Sequence, residues 1–217
     1  MTKTAARGPY RSGLETRERL LHTALSLFSR LGFEATSTRA IAAGADVTIP
    51  AITYHFGSKN GLYLACADHV LERYSERMGG LLTRLFLRLP DLAPAEAREA
   101  LVQITTMLLK MFGDDRRDDT WIDFMLRVMN EPGQAHDRLY NGLWKPGLLF
   151  IAGLIARCRG RKVTLVEDRL EALLLLSTPS IFNFARPVAL NFGGWPDIDA
   201  TLLGDVAQHL RTRIANL

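Results

Sequence analysis

The sequence predicts an all-α chain of about nine helices, a three-helix N-terminal unit followed by a larger helical body. Three observations carry this. Apolar residues recur at three- and four-residue spacing throughout, with no convincing period-two stretch, repeat or low-complexity segment. The 217 residues, 47% of them hydrophobic, are enough to bury a sizeable core. The connections within the first 60 residues are short, which makes the first three helices a compact unit.

The first helix is expected from about Glu15 to Leu31, with Leu20, Leu21, Ala24, Leu25, Phe28 and Leu31 on one face and Gly32 as terminator. The second starts at Ser37 or Thr38, either of which caps it, and turns Ile41, Ala42 and Ala45 inward. Asp46-Val47 is a turn. Thr48 is the expected cap of the third helix, whose first turn tolerates Pro50 because no backbone donor is needed there. Gly57 breaks that helix and Ser58 caps a long fourth one, to about Leu89. Further helices are expected over 95–112, 120–130, 135–158 with a kink at Pro146, 165–185 with Pro179 inside, and 199–216. The charged stretch 113–119 and the segment 186–197, "RPVALNFGGWPD", read as irregular. A domain boundary follows: 1–60 for the N-terminal unit and 61–217 for the body.

Charge is distributed unevenly. Residues 1–60 hold eight of the 27 Lys/Arg and four of the 23 Asp/Glu, so the rest of the chain balances at nineteen of each and the formal excess of +4 lies in the N-terminal unit. A basic end on a neutral body suits a polyanionic partner. Arg7 and Arg11, placed before the first helix, would form a flexible basic arm.

The stretch "VTIPAITYHFGSK", residues 47–59, carries the chemistry. A helix, a short turn and a second helix make a helix-turn-helix, in which the second helix enters the DNA major groove. Ala51 and Thr53 are small enough for close approach. Thr48 and Thr53 offer hydroxyls and methyls to phosphates, base edges and the thymine methyl. Tyr54 and His55 can donate to phosphates, and Lys59 adds its charge to the positive end of the fourth helix. Thr38, Arg39, Ile49 and Pro50 complete the candidate DNA-binding set. Phe56 is read as the ring that fixes this helix on the first one.

The run "TRERLLHTALSLFSRLGFEATSTRAIAAGADVTIPAITYHFGSKNGLYLAC" resembles the DNA-binding domain of the TetR family of bacterial transcriptional regulators, continuously over residues 16–66. "AITYHFGSK…LYLAC" is most similar to the CecR branch, and "EPGQAHDRLYNGLWKPGLLFIAGLIAR" to that branch's C-terminal domain. Two positions depart from the pattern: Asp46 stands where the turn glycine is usual, and Thr53 where many members have a tyrosine. The resemblance implies a ligand-responsive regulator, most often a repressor, that binds a palindromic operator as a homodimer. It also implies a C-terminal body that takes a small effector and dimerises through its last two helices, the eighth and ninth.

Two apolar stripes on the 135–158 helix make it central to the body. Trp121, Phe124, Met125, His136, Tyr140, Trp144 and Asn183 are the candidate lining of a pocket for a small apolar or aromatic effector. The same rings would equally fill a core. Leu173 to Leu176 and the set Leu202, Leu203, Val206, Leu210 and Ile214 are expected at a two-fold interface. The five histidines lack metal-ligand spacing, and neither a phosphate-binding glycine loop nor a nucleophile elbow is present. No catalytic residue, metal or cofactor is therefore expected. Cys66 and Cys158 read as buried thiols, and no apolar run approaches membrane-spanning length. These features suit a soluble, cytoplasmic, nucleoid-associated protein. The alternative is a helical small-molecule-binding protein or enzyme without DNA function, which would leave the localised charge and the segment 47–59 unexplained.

Overall fold

Pro9 opens the first helix, where its fixed φ and missing N–H cost nothing. In this computed structural model, which describes residues 9–113 and 120–217, α1 is Pro9–Ala35 and begins before the expected Glu15. Arg11 thus belongs to a helix rather than to a flexible arm, while Arg7 and the stretch 114–119 lie outside the described residues. Gly32 (φ 80, ψ 172) interrupts α1, as its sequence position suggested, and the chain resumes helical form to Ala35. Next come α2 (Thr38–Gly44), α3 (Ile49–Phe56), α4 (Lys59–Arg88) and α5 (Pro94–Gly113). Then follow α6 (Thr120–Val128), α7 (Gln134–Leu139), α8 (Lys145–Cys158), α9 (Val166–Phe184), α10 (Arg186–Gly193) and α11 (Ala200–Ala215). No strand occurs among the described residues.

Between α7 and α8 the chain makes one π-helical stretch, Tyr140–Trp144. Pro146 follows it in the first turn of α8, where the proline has no N–H to continue the preceding ladder. Gln134–Cys158 is long and apolar enough, by length and composition, to cross a membrane. Leu139, Leu143, Phe150, Leu154 and Ile155 are nevertheless buried in the protein, as in a core helix.

The described residues fall into two compact units, divided differently from the boundary at residue 60. One holds 9–74 and 120–140, the other 75–113 and 141–217. In the first unit α6 lies along α1, and Phe28, Tyr63 and Phe124 meet ring to ring at 4.9 and 5.2 Å. In the second unit α5 packs against α8, α9 and α11. Asp168, fully buried at the start of α9, accepts from the Leu165 N–H (2.8 Å) and pairs with Arg159 (2.7 Å) and Arg161 (2.5 Å). Burial alone would raise its pKa, yet the Leu165 amide and the two guanidiniums outweigh that and hold the carboxyl below the usual range. Both cysteines are free and buried, and burial pushes the Cys158 thiol up to about 11.

One expectation about the second unit is corrected. The segment 186–197 is not irregular throughout, since Arg186–Gly193 is helical: Pro187 sits in its first turn, where proline is tolerated, and Gly194 (φ 65) ends it. On α11, Leu202, Leu210 and Ile214 are buried inside the protomer. Leu202 joins Leu109, Phe182 and Ile198 in one core cluster, with Leu203 and Val206 packed against it. This part of the apolar face of α11 packs on α5 and the end of α9, while Leu203 and Val206 stay half-buried.

Candidate nucleic-acid interface

The reading head is built from short, well-capped pieces. Ser37 caps α2 by accepting from the Ala40 N–H at 3.1 Å. Thr36 is fully buried, and its hydroxyl donates to the Gly32 carbonyl at 2.7 Å, satisfying an acceptor freed by the break in α1. The turn between α2 and α3 runs through Asp46 at φ 52, the one non-glycine with positive φ among the described residues. Aspartate is among the few residues that tolerate this conformation, so the turn survives without glycine. Gly57 (φ 76) closes α3, its N–H bonding to the Thr53 carbonyl at 2.9 Å, and Ser58 caps α4 through the Gly61 N–H at 3.0 Å. A Cβ at Gly61 would lie 2.0 Å from the Phe56 carbonyl oxygen, so the end of α3 and the start of α4 touch backbone to backbone.

Ile52 is buried and anchors α3, while the opposite side of the helix faces solvent. Thr48, Ile49, Pro50, Thr53 and Tyr54 are exposed, and Ala51 and His55 are half-buried. Tyr54 is 85% exposed, and the His55 ring supports it edge-on at 4.9 Å. Thr48 occupies the cap position of α3 with extended backbone, yet its hydroxyl makes no capping bond. The expected capping role is therefore absent. Arg39 is exposed and Thr38 half-buried on α2.

Phe56 is half-buried rather than buried, and the Arg17 guanidinium of α1 lies 5.1 Å from its ring centre. Lys59 is also more than a surface cation. Its ammonium stands 4.3 Å over the Phe33 ring and donates to the Glu34 carbonyl at 3.5 Å. It thus ties α4 to the end of α1 and keeps its charge at the N-terminus of α4.

Sequence reasoning missed the brace beneath this face. Arg127 of α6 donates to the Ser29 (2.8 Å) and Arg30 (2.9 Å) carbonyls, capping α1 where Gly32 breaks it, and pairs with Glu131 at 3.1 Å. Glu131 in turn accepts from the Tyr63 hydroxyl at 3.2 Å. A Cβ on Gly32 would meet the Arg127 guanidinium at 3.0 Å, so that glycine provides room as well as its φ. Asn60 bonds Gln134 at 3.2 Å, and Asp68 pairs with Arg138. Apart from the Arg127–Glu131 pair, these partners lie 68 to 98 residues apart in the chain, beyond the reach of any local pattern.

Trp121, Phe124 and Met125, candidates for an effector pocket, are buried in the first unit with the packing of core side chains. His136 and Tyr140 stack nearly parallel at 6.0 Å in the same unit. Trp144 belongs to the second unit, as does Asn183, whose side chain lies outside the described residues. Among the described residues no group of three or more His, Cys, Asp or Glu is placed to hold a metal ion.

The geometry just described meets two sequence families. Residues 20–66 match "Bacterial regulatory proteins, tetR family", and residues 97–216 match "HTH-type transcriptional dual regulator CecR, C-terminal domain". The chain belongs to the TetR family. It lies in the CecR branch: it is 30% identical over 192 residues to the HTH-type transcriptional dual regulator CecR of Shigella flexneri, covering 86% of this chain and 84% of that protein. Among solved structures, that of AibR in complex with isovaleryl coenzyme A and operator DNA is similar (TM-score 0.64, 18% identity, 91% of this chain and 97% of that one). A TetR-like transcriptional regulator from Rhodococcus sp. RHA1 is similar too (TM-score 0.62, 24% identity, 91% and 94%). At these identities the structures establish the shared fold. The TetR-family regulator is thus a DNA-binding protein whose helix-turn-helix is α2 and α3.

Proposed function

We propose that the protein regulates transcription by reading a palindromic operator as a homodimer, chiefly to repress, and that a small apolar or aromatic effector in its C-terminal body releases it. The observation that carries the DNA-reading role is the solvent-facing side of α3. Thr48, Ile49, Pro50, Thr53 and Tyr54 stand out from a helix whose inner side is anchored by Ile52. None of these five residues carries a charge, so sequence discrimination rests on fit, hydroxyls and methyl contacts. Nonspecific affinity comes from Arg39, Lys59 and the rest of the basic excess. Family membership supports the effector response, and AibR offers a relative in fold crystallised with both a coenzyme A thioester and operator DNA.

The effector acts only by favouring the state that does not fit the operator. In that state the two recognition helices depart from the one-turn separation, about 34–36 Å, that successive half-sites require. Helix α4 is the natural carrier, since its N-terminus holds Lys59 and its C-terminal half belongs to the second unit. The burial of Trp121, Phe124 and Met125 in the reading head favours placing the effector farther along the body. The protein acts in the cytoplasm, where its operator is. A mobility-shift titration of the full chain against fragments of its own genome tests the reading. Specific shifts that weaken steeply with salt support it; indifference to every fragment at low salt overturns it.

A further inference from the structure

The unit that bears the reading head is stitched together by ties reaching past its three N-terminal helices. Asn60 bonds Gln134 at 3.2 Å, the Tyr63 hydroxyl bonds Glu131 at 3.2 Å, and Asp68 pairs with Arg138. The first half of α4 is thereby fixed to α7 and to the turn before it. Two described helical runs lead out of this block: α4 after Tyr74, and the run from α7 to α8 after Tyr140. Each is weakened within a few residues of that point.

In α4 the weak point is Gly79-Gly80. Neither glycine has a positive φ. A Cβ on Gly80 would meet nothing within 4 Å, and one on Gly79 would meet only the Ser75 hydroxyl of the same helix, at 3.3 Å. Packing and backbone therefore require neither glycine, while each makes a helix interior less stable than alanine would. Beyond them α4 is anchored again. Phe86 lies 5.8 Å from the Phe150 ring of α8, and Leu89, just past α4, would touch a Cβ on Gly153 at 3.0 Å. In the second run the weak point is the π-helical stretch Tyr140–Trp144, a rare turn that tends to mark functional sites. It contains Gly142, and Pro146 and Gly147 follow in the first turn of α8, where the proline withholds one N–H from the ladder.

We infer that Gly79-Gly80 and the stretch Tyr140–Trp144 are paired joints, and that the block bearing the reading head moves about them as one piece. This rests on the proposed effector response and names the residues that yield in it: α4 is a jointed connector, not a rigid one. Bending at the glycines gives up no side-chain contact of theirs and disturbs none of the three ties on the first half of α4.

Hydrogen–deuterium exchange of the full chain, without DNA or effector, tests this with Gly79→Ala/Gly80→Ala. The control is Gly204→Ala, which adds the same methyl at an exposed position of α11 with nothing within 4 Å. In the parent, amides over 79–84 should exchange faster than those over 62–72 of the same helix, and amides over 141–148 faster than those over 150–157. The double substitution should slow exchange over 79–84 by about 10-fold or more, and Gly204→Ala should not. Exchange over 79–84 as slow as over 62–72 in the parent overturns the joint. A spin label at Ala43→Cys, exposed on α2 in a chain whose own cysteines are buried, gives the distance distribution between two copies of a dimer. The double substitution should narrow that distribution, and Gly204→Ala should leave its width unchanged. Fast exchange over 79–84 beside a width that the double substitution does not alter marks a weak stretch that moves nothing, and also overturns the joint. Absence of any distance between copies overturns the dimer rather than the joints, which the exchange comparison then decides alone.

Discussion

Replacing Arg127 with alanine should loosen the reading head from below. Its guanidinium makes two charge-assisted bonds to main-chain carbonyls, at 2.8 Å to Ser29 and 2.9 Å to Arg30, and one ion pair with Glu131. Hydrogen bonds from a charged donor contribute roughly 1.5–3 kcal/mol when buried; with this side chain about one-third exposed, the lower end applies to each. A partly exposed ion pair adds about 0–1 kcal/mol. The expected loss is about 3–4 kcal/mol, because the carbonyls freed by Gly32 regain only water. Arg127→Lys keeps one charge but cannot span two carbonyls and a carboxylate, and should lose about half as much. Urea unfolding followed by far-ultraviolet circular dichroism measures both, with the midpoint read at constant slope. A change below about 0.5 kcal/mol for Arg127→Ala would refute the idea that α6 braces α1.

Asp46→Gly should stabilise the protein by about 0.5–1 kcal/mol by relieving the left-handed turn, and Asp46→Val should cost more than that gain; thermal melts decide the sign. Gly61→Ala forces a methyl into the Phe56 carbonyl, so a loss of about 2–3 kcal/mol and weaker operator binding are expected together in melts and binding titrations. The Asp168 carboxyl has a depressed folded-state pKa, so its contribution is complete above the unfolded value near 4 and disappears as pH falls through the lower folded value. Parent stability should therefore drop below about pH 4, whereas Asp168→Asn should be less stable at neutral pH by about 3 kcal/mol and flatter on the acid side. Denaturant titrations across pH 3–7 check this.

The reading head was legible in the sequence because its determinants are local. Gly57, Ser58 and Asp46 each fix one turn by their own chemistry, and the periodic Ile41, Ala42 and Ile52 name the inner faces. Thr48 misled because cap position and capping bond are separate facts, and this hydroxyl makes no such bond. The helix over 186–193 hid behind Pro187 and Gly193-Gly194, which read as loop punctuation but mark the two ends of a short helix. Amphipathicity identified the buried side of α11 but not what covers it, and the cover is α5 of the same protomer. The Arg127 and Glu131 brace joins distant segments, so no periodicity announces it.

Selection and sequencing of bound DNA from a random pool, run in parallel for the parent, Thr53→Ala and Lys59→Met, tests the central claim most directly. Methionine retains contact with the Phe33 ring while removing the charge. The parent should enrich a palindrome with half-sites one helical turn or a multiple apart. Thr53→Ala should change the preferred bases within each half-site. Lys59→Met should keep the same sequence, bind it more weakly and lower the salt slope by about one counterion per subunit. Failure of the parent to enrich any sequence would contradict the account, as would a Thr53→Ala profile identical to the parent's beside an altered Lys59→Met profile.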